Sequence, residues 1–148
     1  LPDLLHDVFI AAITGIASLR DNNALKSWVT GIAVNKARRL IRRRKLQRLV
    51  QFTAPADLPD FPGSIASPEV SDALYHTYEV LEKLPTEDRI CFTLRQIDGM
   101  ELTAIAQVTH VSLATVKRRI ARAQHRFVQL ARENDTLAEW LERGTLDR

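Results

Sequence analysis

The chain has 148 residues, enough for one domain or two small ones, and 45% hydrophobic with 26% charged residues is ordinary for a globular protein. Its single cysteine, Cys91, excludes an internal disulfide, and no apolar run approaches the length of a membrane span. The net charge of +3 is unevenly spread: residues 1–50 carry ten Lys/Arg against three Asp/Glu, residues 51–72 carry four Asp/Glu and no Lys/Arg, and residues 73–148 carry eleven of each. A basic front, an acidic middle and a balanced back predict three segments with different jobs.

The front begins with Leu4, Leu5, Val8, Phe9, Ala12, Ile13 and Ile16 at helical spacing. They predict a helix over about 4–19, N-capped by Asp3. Arg20-Asp21-Asn22-Asn23 is turn chemistry. A longer helix follows over about 25–48. Leu25, Val29, Ile32, Ala33 and Leu40 share one face, and Asn35, Arg38, Arg39, Arg42 and Lys45 share the opposite one. Cations favour a helix C-terminus through the macrodipole, but that accounts for one or two residues. Seven Lys/Arg lie between Lys36 and Lys45, and attraction to phosphate explains the excess better. An acidic protein partner is the alternative.

Pro55, Pro59, Pro62 and Pro68 interrupt regular structure over residues 51–71, which read as a linker. The second domain is expected over 72–148. Leu74, Tyr78 and Leu81 mark a helix that Pro85 ends, and Thr86 is placed to cap the next. Ile90, Leu94 and Ile97 carry that helix to Asp98-Gly99, where glycine takes the left-handed C′ position. Cys91 lies on or beside its apolar face and reads as a packed core thiol.

The most informative stretch is Leu102 to Ala121. Ala104, Ile105, Ala106 and Val108 form the inner side of a short helix, which ends at Thr109 and His110. Ser112 is an N-cap for the next helix. In that helix Val116, Ile120, Ala123, Phe127 and Leu130 form one apolar stripe. Thr115, Arg118, Arg122 and Arg126 lie roughly opposite, flanked by Lys117 and Arg119. A helix buried on one side and basic on the other suits the major groove of DNA. Beyond it, Thr136-x-x-Glu139 has capping-box form. Leu137, Trp140 and Leu141 give a last helix an apolar side, which Gly144 would end. This helix either folds back onto the domain or offers Trp140 to a partner.

The fold class is therefore all-α: two small helical domains, the second containing a helix-turn-helix. No phosphate-binding glycine loop, metal-spaced Cys/His cluster or nucleophile motif is present. His6, His76, His110 and His125 are scattered over the expected helices and a turn, with no paired carboxylate evident from the sequence. The expectation is a protein that is not an enzyme, with no cofactor and no metal. The chain opens on Leu-Pro-Asp with no signal peptide in view, and the expected location is cytoplasmic.

Three stretches together resemble the extracytoplasmic-function (ECF) sigma factors, small bacterial sigma subunits of RNA polymerase that retain two regions of the larger family. Asp3-Leu4-Leu5-His6-Asp7-Val8-Phe9 is similar to the family's DLVQEVF stretch. Trp28-Val29-Thr30-Gly31-Ile32-Ala33-Val34-Asn35 is similar to WLYRIAxN, which also runs into a basic helix. Leu84-Pro85 to Arg89, Asp98-Gly99, Ile105-Ala106 and Val111 to Arg119 resemble the second region. The order and spacing of these motifs, with the Pro-rich separator, make the combination specific.

The resemblance implies that Asp3, Leu4, Asp7 and Phe9 bind the coiled coil of the polymerase β′ subunit, and that the second region sits on the β flap. It implies that Asn35 contacts an unstacked base of the minus-ten promoter element, with Lys36, Arg38, Arg39 and Arg42 holding the backbone. It implies that Lys117, Arg118, Ala121 and Arg122 contact the minus-thirty-five element, with Ser112, Thr115 and Arg119 positioning phosphates or supporting them. It also implies an anti-sigma partner and no membrane insertion. Six features depart from the family: His110 replaces its turn glycine, Thr109 a common apolar residue and Arg118 a small serine, Ala121 offers little side chain for base contact, the tail beyond Leu130 is longer than expected, and the helix that normally precedes Asp3 is expected to be missing from this sequence, leaving the first domain incomplete. The alternative from the residues alone is a helix-turn-helix regulator that needs no polymerase, its basic front serving as a non-specific phosphate binder. A third reading is an adaptor for an acidic protein.

Overall fold

A computed structural model describes residues 2–51 and 67–146, with side chains over 3–46 and 67–142. The described residues are helical, with no strand among them. Helix α1 spans Pro2–Gly15 and passes into a 3-10 turn at Ile16–Ser18. Asp3 thus lies in the first turn rather than at the cap, where its carboxylate still suits the positive end of the helix. A second 3-10 turn, Asn22–Ala24, is capped by Asp21, whose side chain accepts from Asn23 N at 2.9 Å. Helix α2 then runs over Leu25–Gln51. It packs on α1, and at Gly15 the Trp28 ring comes close: a Cβ there would lie 3.1 Å from Trp28 Cζ2.

The expected linker falls largely on residues 52–66, outside the described residues. Helix α3, Pro68–Glu82, starts four residues before the expected Asp72, because Ser67 accepts from Val70 N and Pro68 takes the first turn. Helix α4 is Thr86–Gln96. Pro85, not Thr86, occupies its cap position, and no side chain caps it. Gly99 has φ +67, the left-handed conformation its place after the helix predicts. Ile97, expected on the buried face, is 71% exposed, since the chain has already left the helix there.

Helices α5 (Leu102–Thr109) and α6 (Leu113–Arg132) form the helix-turn-helix. The last helix, α7, is Asp135–Leu146. Its N-cap is Asn134, which accepts from Leu137 N at 3.0 Å, so the expected capping box at Thr136 does not form. Thr136 instead donates to Asp72 of α3 at 3.1 Å, and Gly144 lies inside the helix. Leu137 is buried, so α7 folds back against α3 and α6.

Two apolar clusters fill the back half. Val80, Leu81, Leu84, Ala123, Leu130 and Leu137 join α3, α6 and α7, with the Phe92 and Phe127 rings stacked alongside at 5.5 Å. Cys91, Met100, Ile105, Val108, Val116 and Ile120 join α4, α5 and α6. The α6 stripe serves both clusters, which is why it must be apolar over its whole length. Burying one such side chain contributes about 1.5–3 kcal/mol. Among the described residues the front half has no comparable core. Among its described side chains Val34 is the one buried hydrophobic, while Leu5, Phe9, Ile13 and Ile16 of α1 and its 3-10 extension remain exposed.

Candidate nucleic-acid interface

The turn between α5 and α6 is built from backbone hydrogen bonds. His110 takes φ 57, ψ 43, and its N–H donates to Gln107 O at 3.3 Å, while Val111 N donates to Ala106 O at 3.1 Å. This closes the C-terminus of α5 as glycine usually does. A side chain in that conformation costs roughly 1–2 kcal/mol. Thr109 is 3% exposed, and its hydroxyl donates to Ile105 O at 2.6 Å, so a polar residue is accommodated in an apolar place. Ser112 caps α6 by accepting from Thr115 N at 3.2 Å, and the two hydroxyls lie 2.9 Å apart.

The basic side of α6 divides into two sets. Lys117, Arg118 and Ala121 face solvent. Arg119 turns toward α4, its side chain 18% exposed, and its Nη1 donates to Glu87 at 3.2 Å. Arg122 holds Asp88 of α4 with two hydrogen bonds of 2.6 Å. Asp88 is 2% exposed, whereas the Arg122 side chain is 60% exposed. That hydrogen bond and the carboxylate's charge hold the Arg122 guanidinium above its ordinary pKa. Arg122 therefore both fixes α6 on α4 and presents one edge outward. Glu87 and Asp88 were not found by sequence reasoning; acids in a first turn satisfy the helix dipole and carry no mark of a distant partner. Beneath this cluster Cys91 is fully buried, its thiol in no disulfide. Burial pushes its thiol pKa up, and the Arg119 guanidinium beside it works in the opposite direction.

The α2 cations, expected on one face, are divided between two grooves. Lys36, Arg39, Arg43 and Arg44 line a groove with Asp3, Leu4 and Asp7 of α1, and Lys36 Nζ lies 3.9 Å from Asp7. Arg38, Arg42 and Lys45 line another with Thr86 and Glu87 of α4. The physical reason is that both α1 and α4 offer carboxylates, and long cationic side chains on the flanks of α2 reach whichever is nearer. Asn35 belongs to neither groove. It is exposed and lines a cavity of about 550 Å³ together with the Ser18–Asp21 connection, Trp28, Gly31 and Ile32, while Gln107, Val108 and His110 form the opposite wall.

On α1, Asp3, Asp7 and Phe9 are exposed, and Leu4 is half-buried toward α2. Phe9 belongs instead to the exposed row with Leu5 and Ile13, a continuous apolar stripe that a single amphipathic reading of α1 does not separate from its packed side. Among the described residues no group of three His, Cys, Asp or Glu is placed to hold a metal ion, and no helix is long and apolar enough to cross a membrane.

Two helical units, one with a file of cations and the other with a helix-turn-helix, define a DNA-binding protein of transcription. The family model for Sigma-70 region 2 matches residues 1–47, and that for Sigma-70, region 4 matches residues 77–123. The chain belongs to the sigma-70 family and is an RNA polymerase sigma factor of the ECF type. It is 28% identical to the ECF RNA polymerase sigma-E factor of Escherichia coli (strain K12), over 84% of this chain and 70% of that protein. The sigma-E factor of Haemophilus influenzae is 27% identical over the same shares. The fold is similar to that of the sigma factor RpoE of Bartonella quintana, solved in complex with the anti-sigma factor NepR. The TM-score is 0.72 at 21% identity, over 90% of this chain and 81% of that one. Members of the family are transcription initiation factors rather than catalysts.

Proposed function

We propose that this sigma factor directs core RNA polymerase to promoters with its front half on the minus-ten element and its back half on the minus-thirty-five element. Asn35 takes an unstacked base into the cavity beside Trp28 and the Ser18–Asp21 connection. Lys36, Arg38, Arg39 and Arg42 hold the backbone on either side of it. Lys117, Arg118 and Ala121 face the minus-thirty-five major groove. Arg122 reaches DNA from its anchor on Asp88, and Ser112, Thr115 and Arg119 support the helix and its phosphate contacts. Asp3, Leu4, Asp7 and Phe9 meet the polymerase β′ coiled coil, and the back half meets the β flap. An anti-sigma factor is the expected regulator, and the expected compartment is the cytoplasm.

The observation that supports this reading most is Asn35 at a cavity wide enough for a base, on the helix that also carries the cation file. A repressor would need the charge but not the cavity. Transcription reconstituted with core polymerase tests it. Asn35→Ala should lower promoter opening by roughly tenfold while polymerase association is unchanged, the loss expected for one good base contact. Unchanged opening removes Asn35 from the site. Failure of the wild-type chain to bind polymerase, together with sequence-specific duplex binding by the chain alone, would favour the independent regulator.

A further inference from the structure

Two arginines of α6 meet the acids at the start of α4, and they do so in different ways. Arg119 donates from Nη1, at its outer end, to Glu87 Oε2, and only 18% of its side chain is exposed. Arg122 meets Asp88 sideways. Its Nε donates to Oδ2 and its Nη2 to Oδ1, both at 2.6 Å, while 60% of its side chain stays exposed. Side-on pairing leaves Nη1 and the outer N–H of Nη2 without a partner among the described residues. Those N–H groups are parallel and lie in the guanidinium plane, so an intact donor fork remains. Lys117 and Arg118 share the solvent side of α6, but among the described residues no side-chain partner holds them. Asp88 is a fixed point by comparison. It is 2% exposed and lies in the first turn of α4, where the helix dipole favours a carboxylate. Helices α4 and α6 also share the apolar cluster of Cys91, Val116 and Ile120. A buried carboxylate on a packed helix does not follow a mobile arginine; the arginine is held to it.

We infer that Asp88 is a positioning residue for base reading: it fixes the Arg122 guanidinium so that the outer fork selects guanine at one position of the minus-thirty-five element. Resting on the proposed placement of α6 in the major groove, this assignment goes further by naming the base and the residue that sets the choice. Guanine offers two acceptors, O6 and N7, on its major-groove edge. Adenine sets a donor beside its acceptor, cytosine offers a donor, and thymine has one acceptor next to a methyl group. A fork of two donors therefore fits guanine and mismatches the rest. An unanchored arginine gives up rotamer freedom on docking, and it can swing to a phosphate oxygen instead, where no sequence is read. Arg122 has given up that freedom on folding, because Nε and Nη2 are already held. Its outer edge can neither swing aside nor turn over without breaking two short bonds to a buried charge.

The test uses holoenzyme assembled from core polymerase and the full chain, as wild type, Asp88→Asn, Asp88→Ala and Arg122→Lys. Each captures DNA from a library of promoter-length duplexes of random sequence, and sequencing the captured fraction gives the base preference at every position. Asp88→Asn keeps the shape but turns an amide donor toward the guanidinium. Asp88→Ala releases Arg122 outright and serves where the first variant melts below the assay temperature. Arg122→Lys keeps a cation opposite Asp88 but has no fork. Wild type should prefer guanine at one minus-thirty-five position by about tenfold or more, as a bidentate contact allows. Each substitution should cut that preference to about threefold or less, at that position alone, as expected when the bidentate contact is lost. An Asp88 variant that keeps the preference while Arg122→Lys loses it overturns the positioning role and leaves Arg122 on the DNA. Loss of capture spread evenly over all sequences shows Asp88 to be a brace for the fold and overturns it too. A preference unchanged in every variant removes Arg122 from base reading altogether. A wild-type holoenzyme that enriches no sequence sinks the promoter reading itself, and this inference with it.

Discussion

Replacing Ile105 with alanine should unfold the helix-turn-helix well before it disturbs any charge on its surface. Ile105 is 0% exposed and lies among Cys91, Met100, Val108 and Val116. Helix α5 has eight residues, too few to be stable without tertiary packing. Its end is pinned by the turn hydrogen bonds at His110 and Val111, and by the Thr109 hydroxyl on Ile105 O. The site therefore has little freedom to collapse into the space left by the deleted carbons. Large-to-small changes of this kind cost about 2–5 kcal/mol, and a site held on both sides belongs in the middle of that range, about 3–4 kcal/mol. For a chain of this size the loss corresponds to a fall in melting temperature of about 10 °C. Ile97→Ala is the control: the same residue type, eight positions earlier, is 71% exposed and should change stability by less than about 0.5 kcal/mol. Urea titration followed by circular dichroism measures both. Equal effects of the two substitutions, or an Ile105→Ala protein within about 1 kcal/mol of wild type, would refute the packing argument.

Arg122→Ala should lower the melting temperature more than the double change Asp88→Ala/Arg122→Ala, because the single change leaves a buried carboxylate without its cation. A double variant less stable than Arg122→Ala would contradict this. Cys91 should resist a maleimide reagent in the folded chain and react on unfolding; rapid labelling of the native protein would refute its burial. Its raised pKa also has a sign. The neutral thiol is favoured in the fold, so its contribution is fully present below the unfolded pKa and is lost as pH rises through the folded value, above the ordinary 9.0. Stability in alkaline buffer should therefore fall more steeply for wild type than for Cys91→Ala, and parallel curves would count against it.

How far the sequence could be read follows from the range of the interactions. The α5–α6 pair was legible because its signals are local: a stripe of 3.6-residue period, a serine cap and a turn at His110. The same logic overreached at Ile97, where the period continued past the end of the helix, and at Thr136, where Asn134 two residues earlier had the better cap geometry. The cation file of α2 was legible as a file, but its division between two grooves was not. That division depends on carboxylates of α1 and α4, the latter 49 positions away in the case of Arg38 and Glu87. Likewise the exposed row on α1 (Leu5, Phe9, Ile13) and the half-buried row beside it (Leu4, Val8, Ala12) are both apolar, and the neighbours decide which is which.

The thin packing of the front half has a consequence for how the protein reports on its surroundings. With Val34 the one buried hydrophobic among its described side chains, and Leu5, Phe9 and Ile13 in water, the α1–α2 pair has little cohesion of its own. Its order is then a dependent variable. Anything that settles on the apolar row adds a stabilisation that grows with the logarithm of its concentration, as for any ligand of the native state. The unfolding temperature of α1 is accordingly a gauge of occupancy, and the back half, with its own two clusters, is the fixed reference against which that gauge is read.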